Sequence, residues 1–419
     1  MNKRIFKNIA MLSTHGYFDP IPQLGRTDTG GQVVYVIEMA KAMARHGITV
    51  DIYTRWFEKR KQQVDPIPGY PGVRVIRIPS GKWEFVPKEF IYDLLPELTS
   101  NMIDFIKSNN LNYDLYHGHY VDAGIVALEV ARVFHKPAFF TAHSLGAWKQ
   151  DQMGGDPEEM ERKFNFRHRN AEELRIFKEV NGQTLTSTVQ HEKLVELYNF
   201  DAPNIAIIPP GVDVDKFKIP TVADLKAPSP LPDRYIYCLS RIDSNKGHDF
   251  LLRAFSLVKD VIDDVTLVIG GGSPNPKPRE KEVFAMMDTI IAEEKMEDRV
   301  MFAGYVPDDK MVTYYQQAEM FVLPSIFEPF GMTSQESMAC GVPVVASKFG
   351  GIRNVIVHEK NGMLVDPSNA REFADAMIKI LQDSELRMHI GMAGSDTIRS
   401  EFSWNAIADK FLDFYSKFV

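Results

Sequence analysis

A short apolar stretch from Asn8 to Thr14 opens the chain, a glycine-bearing loop follows at Pro20–Gly31, and apolar residues then recur at helical spacing from Gln32 to His46. Gly47 reads as the helix C-cap and Ile48–Thr54 as the next strand, so the opening predicts a βαβ unit. Further β-rich runs at Val73–Ile78, Pro137–Thr141, Thr184–Thr188 and Ile205–Ile208 alternate with helical segments, the pattern of a parallel, doubly wound sheet. Between Gly211 and Asp233, Pro220, Pro228, Pro230 and Pro232 interrupt regular structure and mark a connection between domains. A second α/β series follows, with strands expected at Tyr235–Arg241, Thr266–Gly270, Val300–Tyr305, Met320–Pro324, Pro343–Ser347 and Met363–Val365. The pattern therefore predicts two α/β domains, residues 1–210 and 211–402, with a cleft between them. A last helix, N-capped by Ser403, carries Ile407, Phe411, Phe414 and Phe418 on one face. That stripe must be buried, either within the second domain or back against the first.

Composition narrows the class. With 419 residues, 44% hydrophobic and 25% charged, the chain reads as ordinary and soluble, long enough for two or three cores. Lys plus Arg against Asp plus Glu is 25 against 24 over residues 1–200 and 23 against 32 over 201–419, so the net −8 belongs to the second half. Such a balance argues against nucleic-acid partners. Cys238 and Cys340, the only cysteines, lie in apolar surroundings and read as small buried hydrophobes, which fits a reducing, cytoplasmic compartment. No apolar run reaches the length of a membrane span, and Lys3, Arg4 and Lys7 lead into Ile9–Leu12, too short for a signal core and read instead as the first strand.

Candidate chemistry gathers where strands give way to helices. Asp28–Thr29–Gly30–Gly31–Gln32 sits between the first strand and its helix, where absent side chains let backbone N–H groups approach an anion. Arg241 and Lys246 follow the second domain's first strand and place two cations at a carboxyl edge. Glu328–Pro329–Phe330–Gly331–Met332–Thr333–Ser334–Gln335–Glu336 follows the strand at Met320–Pro324 and opens a helix; its two carboxylates suit the hydroxyls of a sugar and a ribose. Gly350–Gly351 closes the next turn, where either ligand approach or plain loop geometry explains it. His143 stands at the end of Pro137–Thr141, placed for a donor hydroxyl or for a structural hydrogen bond. Lys88, Lys149, Arg167 and Arg169 are separated cations that suit a monophosphate pocket or simple solvation. No metal-ligand spacing is present.

These residues resemble the family 4 glycosyltransferases of the GT-B fold, over nearly the whole chain. S-R-I-D-S-N-K-G (240–247) and E-P-F-G-M-T-S-Q-E (328–336) are similar to the family's donor-binding signature. D-T-G-G-Q-V-V-Y-V-I-E (28–38), V-R-V-I-R-I-P-S-G (73–81), P-K-E-F (87–90), H-S-L-G-A-W-K (143–149) and F-N-F-R-H-R (164–169) resemble its sucrose-phosphate and mannosylfructose-phosphate synthase branch. The resemblance implies two Rossmann-like domains, the last helix returning to the first, and retaining hexosyl transfer from a nucleotide sugar to fructose 6-phosphate without a required metal or other cofactor. It also implies roles. Gly30 and Gly31 would face the donor phosphates, Gln32 the acceptor, and His143 the transferred sugar. Lys88, Lys149, Arg167 and Arg169 would grip the acceptor phosphate. Arg241 and Lys246 would hold the donor diphosphate, Glu328 a sugar hydroxyl and Glu336 the ribose, with Phe330, Gly331, Met332 and Thr333 beside the donor. The partners implied are small molecules, with no membrane. Two rivals stand beside this: a membrane-surface transferase with a lipid-linked acceptor, and a nonenzymatic sugar-nucleotide sensor.

Overall fold

The structure is a computed structural model, and it describes residues 6–22, 30–226, 228–273, 275–326 and 328–419. The chain forms two compact units, residues 1–211 with 404–419 and residues 212–403.

In the first unit the strands are β1 (Asn8–Leu12), β2 (Thr49–Trp56), β3 (Val64–Ile67), β4 (Tyr70–Pro79), β5 (Leu115–His119), β6 (Ala138–Thr141), β7 (Gly182–Leu185) and β8 (Ile205–Ile207). They pair in the order β3-β4-β2-β1-β5-β6-β7-β8, parallel except for the β3–β4 hairpin. Helices α1 (Gly31–Arg45), α2 (Leu95–Ser108), α3 (Val121–Phe134), α4 (Gly146–Met153), α5 (Pro157–Phe164), α6 (Phe166–Glu179) and α7 (Thr188–Tyr198) connect them. The α1 helix forms where apolar residues recur, burying Val33, Val36, Ile37, Ala40 and Met43. It ends where Gly47, at φ 78°, donates its N–H to the Ala44 carbonyl.

The second unit contains α8 (Val222–Leu225), β9 (Tyr235–Leu239), α9 (His248–Lys259), β10 (Thr266–Gly270), α10 (Pro278–Glu293), β11 (Val300–Gly304), α11 (Asp308–Gln316), β12 (Met320–Leu323), α12 (Met332–Ala339), β13 (Val344–Ser347), β14 (Met363–Val365), α13 (Ala370–Gln382) and α14 (Ser384–Glu401). Its sheet runs β11-β10-β9-β12-β13-β14, all parallel. Its central strands β9, β12 and β13 are buried throughout, as helices on both faces require, while the edge strand β11 is half-buried.

The last helix, α15 (Trp404–Tyr415), packs in the first unit. Phe139 meets Phe414 at 5.8 Å, Tyr415 at 4.7 Å and Phe418 at 5.6 Å between ring centres. Phe139 and Phe414, both buried, contribute about 1.5–3 kcal/mol each, while Phe418 stays half-buried.

The structure differs from the sequence reading in particular places. Thr184–Thr188 is a strand only to Leu185, because Ser187 caps α7 by accepting from Gln190 N–H. The β5 strand, Leu-Tyr-His-Gly-His, and the short β3 lie outside every expected run. Of the two explanations left open for Gly351, loop geometry has a visible cause: it opens a short 3-10 turn, and a Cβ there would sit 2.0 Å from the Pro329 carbonyl oxygen.

Candidate active site

In each sheet the connections reverse direction once, between β1 and β5 in the first unit and between β9 and β12 in the second. Open parallel sheets bind ligands beyond the carboxyl ends of such neighbours. The chemistry-bearing residues collect there.

In the first unit, β1 runs into Ser13, Thr14 and His15, and β5 ends at His119. Gln32, in the first turn of α1, donates its amide to Ser13 Oγ and to the His119 carbonyl, both at 3.1 Å, which ties the helix start to the two strand ends. Gly30 precedes it in extended backbone, and among the described residues a Cβ there would meet nothing within 4 Å. No described side chain caps α1, so its first N–H groups suit an anion. Asp28 and Thr29 lie outside the described residues.

His143 follows β6 in left-handed backbone, φ 57°, a cost of order 1–3 kcal/mol for a non-glycine residue. Its Nε2 lies 3.0 Å from His119 Nδ1, and its ring meets Tyr35 edge-on at 4.8 Å. Burial, with a smaller contribution from His15, lowers the His143 imidazole to about 3, so the ring is neutral near pH 7.

Lys88, Lys149 and Arg169, far apart in sequence, line one recess with Glu89, Tyr92, Tyr120, Phe164 and Phe166. Lys149 Nζ stands 4.8 Å above the Phe164 ring, and the Arg169 guanidinium 4.6 Å above Tyr120. Arg169 is only 4% exposed. It donates from Nε to Glu173 at 2.8 Å and from Nη2 to the Ser144 carbonyl and hydroxyl at 2.9 and 3.0 Å. Burial alone would lower Arg169, but Glu173 and Tyr120 hold it above the ordinary guanidinium value. Glu173, fully buried, also accepts from the Gly146 N–H and from Tyr198. Arg167 departs from its expected place: it does not line the recess, but lies exposed and paired with Glu158 at 2.6 Å. One helical step past Phe166 turns its side chain to the outer face of α6.

In the second unit, β9 leads through Ser240 and Arg241 into a 3-10 turn, Ser244–Lys246, and Gly247. Gly247 has φ 70°, and a Cβ would lie 2.5 Å from the Pro324 carbonyl oxygen at the end of β12, so only glycine lets these segments touch. Lys246, 8% exposed, thereby reaches Glu328 at 2.6 Å. Arg241 is exposed. Gly331, φ 89°, starts α12 without a side-chain cap, Phe330 is buried, and Met332 and Thr333 keep partial exposure in the first turn. Glu336 accepts from the Tyr315 hydroxyl at 2.9 Å. Burial raises its carboxyl to about 7, against the opposing hydrogen bond from Tyr315 and the charge of Lys216.

Three features escaped sequence reasoning. His119 lies on the unexpected strand, Glu173 looks like one more helix-surface charge, and Gly271, φ 131°, would clash with the Ser240 carbonyl at 1.8 Å if it bore a Cβ. A Gly-Gly-Gly run after a strand was the one available signal. Among the described residues no three His, Cys, Asp or Glu side chains group as metal ligands, and no helix is long and apolar enough to cross a membrane.

Each unit thus carries an uncapped helix start at a strand end. The comparisons identify the family. The model of Glycosyltransferase Family 4 matches residues 29–216, and that of Glycosyl transferases group 1 matches residues 224–397. The chain belongs to the family 4 glycosyltransferases, has the GT-B fold, and is a hexosyltransferase. Among its relatives, the mannosylfructose-phosphate synthase of Agrobacterium fabrum is 36% identical over 416 residues, 97% of this chain and 90% of that one. A D-inositol 3-phosphate glycosyltransferase of Corynebacterium diphtheriae is 31% identical, covering 97% and 94%. The sucrose-phosphate synthase of Thermosynechococcus elongatus superposes with a TM-score of 0.81 at 29% identity, covering 98% of each chain.

Proposed function

We propose that this enzyme transfers glucose or mannose, with retention and without a required metal, from a nucleoside diphosphate sugar to a sugar phosphate, foremost fructose 6-phosphate. The recess that gathers Lys88, Lys149 and Arg169 carries the reading. Three cations, two of them over aromatic rings, suit a phosphate monoester, and the synthases among the relatives are named for phosphorylated disaccharide products. In the second unit, Lys246 and Arg241, with the uncapped start of α12, take the diphosphate, Glu328 a sugar hydroxyl and Glu336 the ribose. In the first unit, Gln32 meets the acceptor and neutral His143 the transferred sugar.

In this mechanism the acceptor hydroxyl oxygen bonds to the anomeric carbon on the face the diphosphate leaves. The bond from that carbon to the diphosphate oxygen breaks, and the hydroxyl proton passes to the departing phosphate. Charge builds on the leaving oxygen, and pre-placed cations and N–H groups stabilise it most there. A polyol phosphate of another skeleton is the second reading, favoured by the inositol phosphate transferase among the relatives.

The test is a matrix of uridine, guanosine and adenosine diphosphate glucose and mannose against fructose 6-phosphate, other hexose phosphates and inositol phosphate, with and without EDTA, products identified by mass spectrometry and NMR. Fructose 6-phosphate is expected to lead, with EDTA harmless. Turnover best with inositol phosphate would install the second reading; turnover with no phosphorylated acceptor would remove both.

The raised Glu336 carboxyl sets a pH dependence. Ribose hydroxyls donate to a carboxylate, so donor binding favours the ionised form, and affinity for a nucleoside diphosphate should fall by up to about tenfold per unit below pH 7. Titration calorimetry from about pH 8 to about pH 6 checks this, with Glu336→Gln expected to flatten that component of the profile. Equal slopes in both proteins would remove Glu336 from the ribose.

A further inference from the structure

The loop after β4 runs to Lys88, and an arginine of the neighbouring strand holds it. Arg55, next to last in β2, is 3% exposed. It stands opposite Ile78 in the parallel pairing of β2 with β4, so its side chain leaves the sheet where β4 gives way to the loop. It donates from Nε to the Ser80 carbonyl at 2.9 Å, from Nη2 to the Lys82 carbonyl at 2.7 Å and from Nη1 to the Glu84 carbonyl at 2.9 Å. One rigid fork thus gathers alternate carbonyls of a short loop. Among the described residues none of its hydrogen bonds goes to a carboxylate; Glu84 and Glu97 act on it only at a distance. A buried cation without an ion pair is a costly filler, and an apolar side chain would cover the strand end at lower cost. What the guanidinium supplies instead is a fixed course for the loop.

That course ends in the recess. Ser80 Oγ donates to the Leu94 carbonyl at 2.6 Å, and Gly81, at φ 64°, donates its N–H to the Glu97 carboxylate at 2.8 Å, so the loop is pinned to the start of α2 as well. Phe85 then stacks on Tyr17 at 5.3 Å between ring centres, and Pro87 leads into the 3-10 turn Lys88–Phe90. Lys88 lines the recess with Tyr92. The stretch from Glu84 to Lys88 is too short an arm for the lysine to find its place independently of the clamp.

We propose that Arg55 is a positioning residue for the acceptor: by clamping the carbonyls of Ser80, Lys82 and Glu84 it sets Lys88 in the recess, and so governs affinity for the phosphate of the sugar phosphate without touching it. This rests on the reading of that recess given above. With the clamp in place the loop is ordered before the acceptor arrives. Without it, part of the energy of the Lys88–phosphate contact is spent on ordering the loop, and the loss falls on acceptor affinity. Donor binding, which uses the second unit, stays as it was.

The test is a double-mutant cycle of Arg55→Ala and Lys88→Ala, read as the KM values of sugar phosphate and donor, with thermal melts alongside. If no sugar phosphate supports transfer by the wild type, or Lys88→Ala leaves its KM unchanged, the reading of the recess fails at Lys88 and this proposal falls with it. Given a Lys88 effect, Arg55→Ala is expected to raise the sugar-phosphate KM about three- to tenfold, the cost of ordering a loosened side chain at binding. The donor KM should stay within about twofold, whereas a loss of fold integrity would shift both constants. In the Lys88→Ala background the same change should add less than about twofold, because the loop then has no cation to place. Arg55→Lys keeps the charge but lacks the fork, and its sugar-phosphate KM should fall between wild type and Arg55→Ala. Should Arg55→Ala not fold, the cycle is run with Arg55→Lys. Additive effects of the two changes, an unchanged sugar-phosphate KM in the folded Arg55 variant, or a common shift of both constants overturns the proposal.

Discussion

Replacing Lys246 by alanine is expected to lower kcat/KM by about 10²–10³-fold, the usual cost of removing one donor aimed at a leaving oxygen. Lys246 is 8% exposed and held 2.6 Å from Glu328 in the ligand-free protein, so the carboxylate already fixes the ammonium where a diphosphate would displace or share it. Folding should survive the change, because Glu328 keeps 18% of its side chain in water and can be hydrated once its partner is gone. Glu328→Ala should cost more stability, since it strands the better-buried cation. Lys246→Arg is not expected to rescue fully: a forked guanidinium does not fit a site shaped by the close approach of Gly247 to the Pro324 carbonyl. Kinetics with saturating acceptor, alongside thermal melts, separate these effects. Wild-type kcat/KM in a folded Lys246→Ala would detach Lys246 from the donor.

How far these sites were legible depends on the kind of signal each leaves in the chain. Runs such as Tyr235–Leu239 and Val344–Ser347 announce buried parallel strands by unbroken apolar composition, and the turns that follow them are where Lys246 and Gly351 stand. The β5 strand gives no such notice. Its residues are Leu-Tyr-His-Gly-His, and His117 is made tolerable inside the sheet by hydrogen bonds to Thr141 and Tyr415, the latter 298 residues away. Only the tertiary structure supplies those partners, so local propensity cannot foretell the strand, and with it His119 was lost. The cations divide in the same way. The spacing of Lys88, Lys149 and Arg169 says nothing of their meeting, and their grouping rested on resemblance; Arg167, two residues from Arg169, points to solvent because helical geometry separates neighbours by about 100° per residue. For Gly350–Gly351 the motif was visible but its cause was not, since the atom that needs the space belongs to Pro329.

Arg169→Ala is expected to destabilise the first unit by about 3–5 kcal/mol, which removal of one partner from a buried ion pair costs. The reason lies in Glu173, fully buried and left by the change with Gly146 N–H and Tyr198 but no countercharge. Arg169 also holds Ser144, the residue after His143, through both its carbonyl and its hydroxyl. Loss of the guanidinium thus loosens the segment that keeps His143 in its left-handed backbone as well as emptying one wall of the recess shared with Lys88 and Lys149. Two roles predict two separable readouts. Pairing Arg169→Met with Glu173→Gln removes both charges and should recover much of the thermal stability, while the KM for the sugar phosphate stays high because the recess still lacks its third cation. If the double variant regained both stability and acceptor affinity, Arg169 would be a strut for the His143 turn and nothing more, and the phosphate would belong to Lys88 and Lys149 alone.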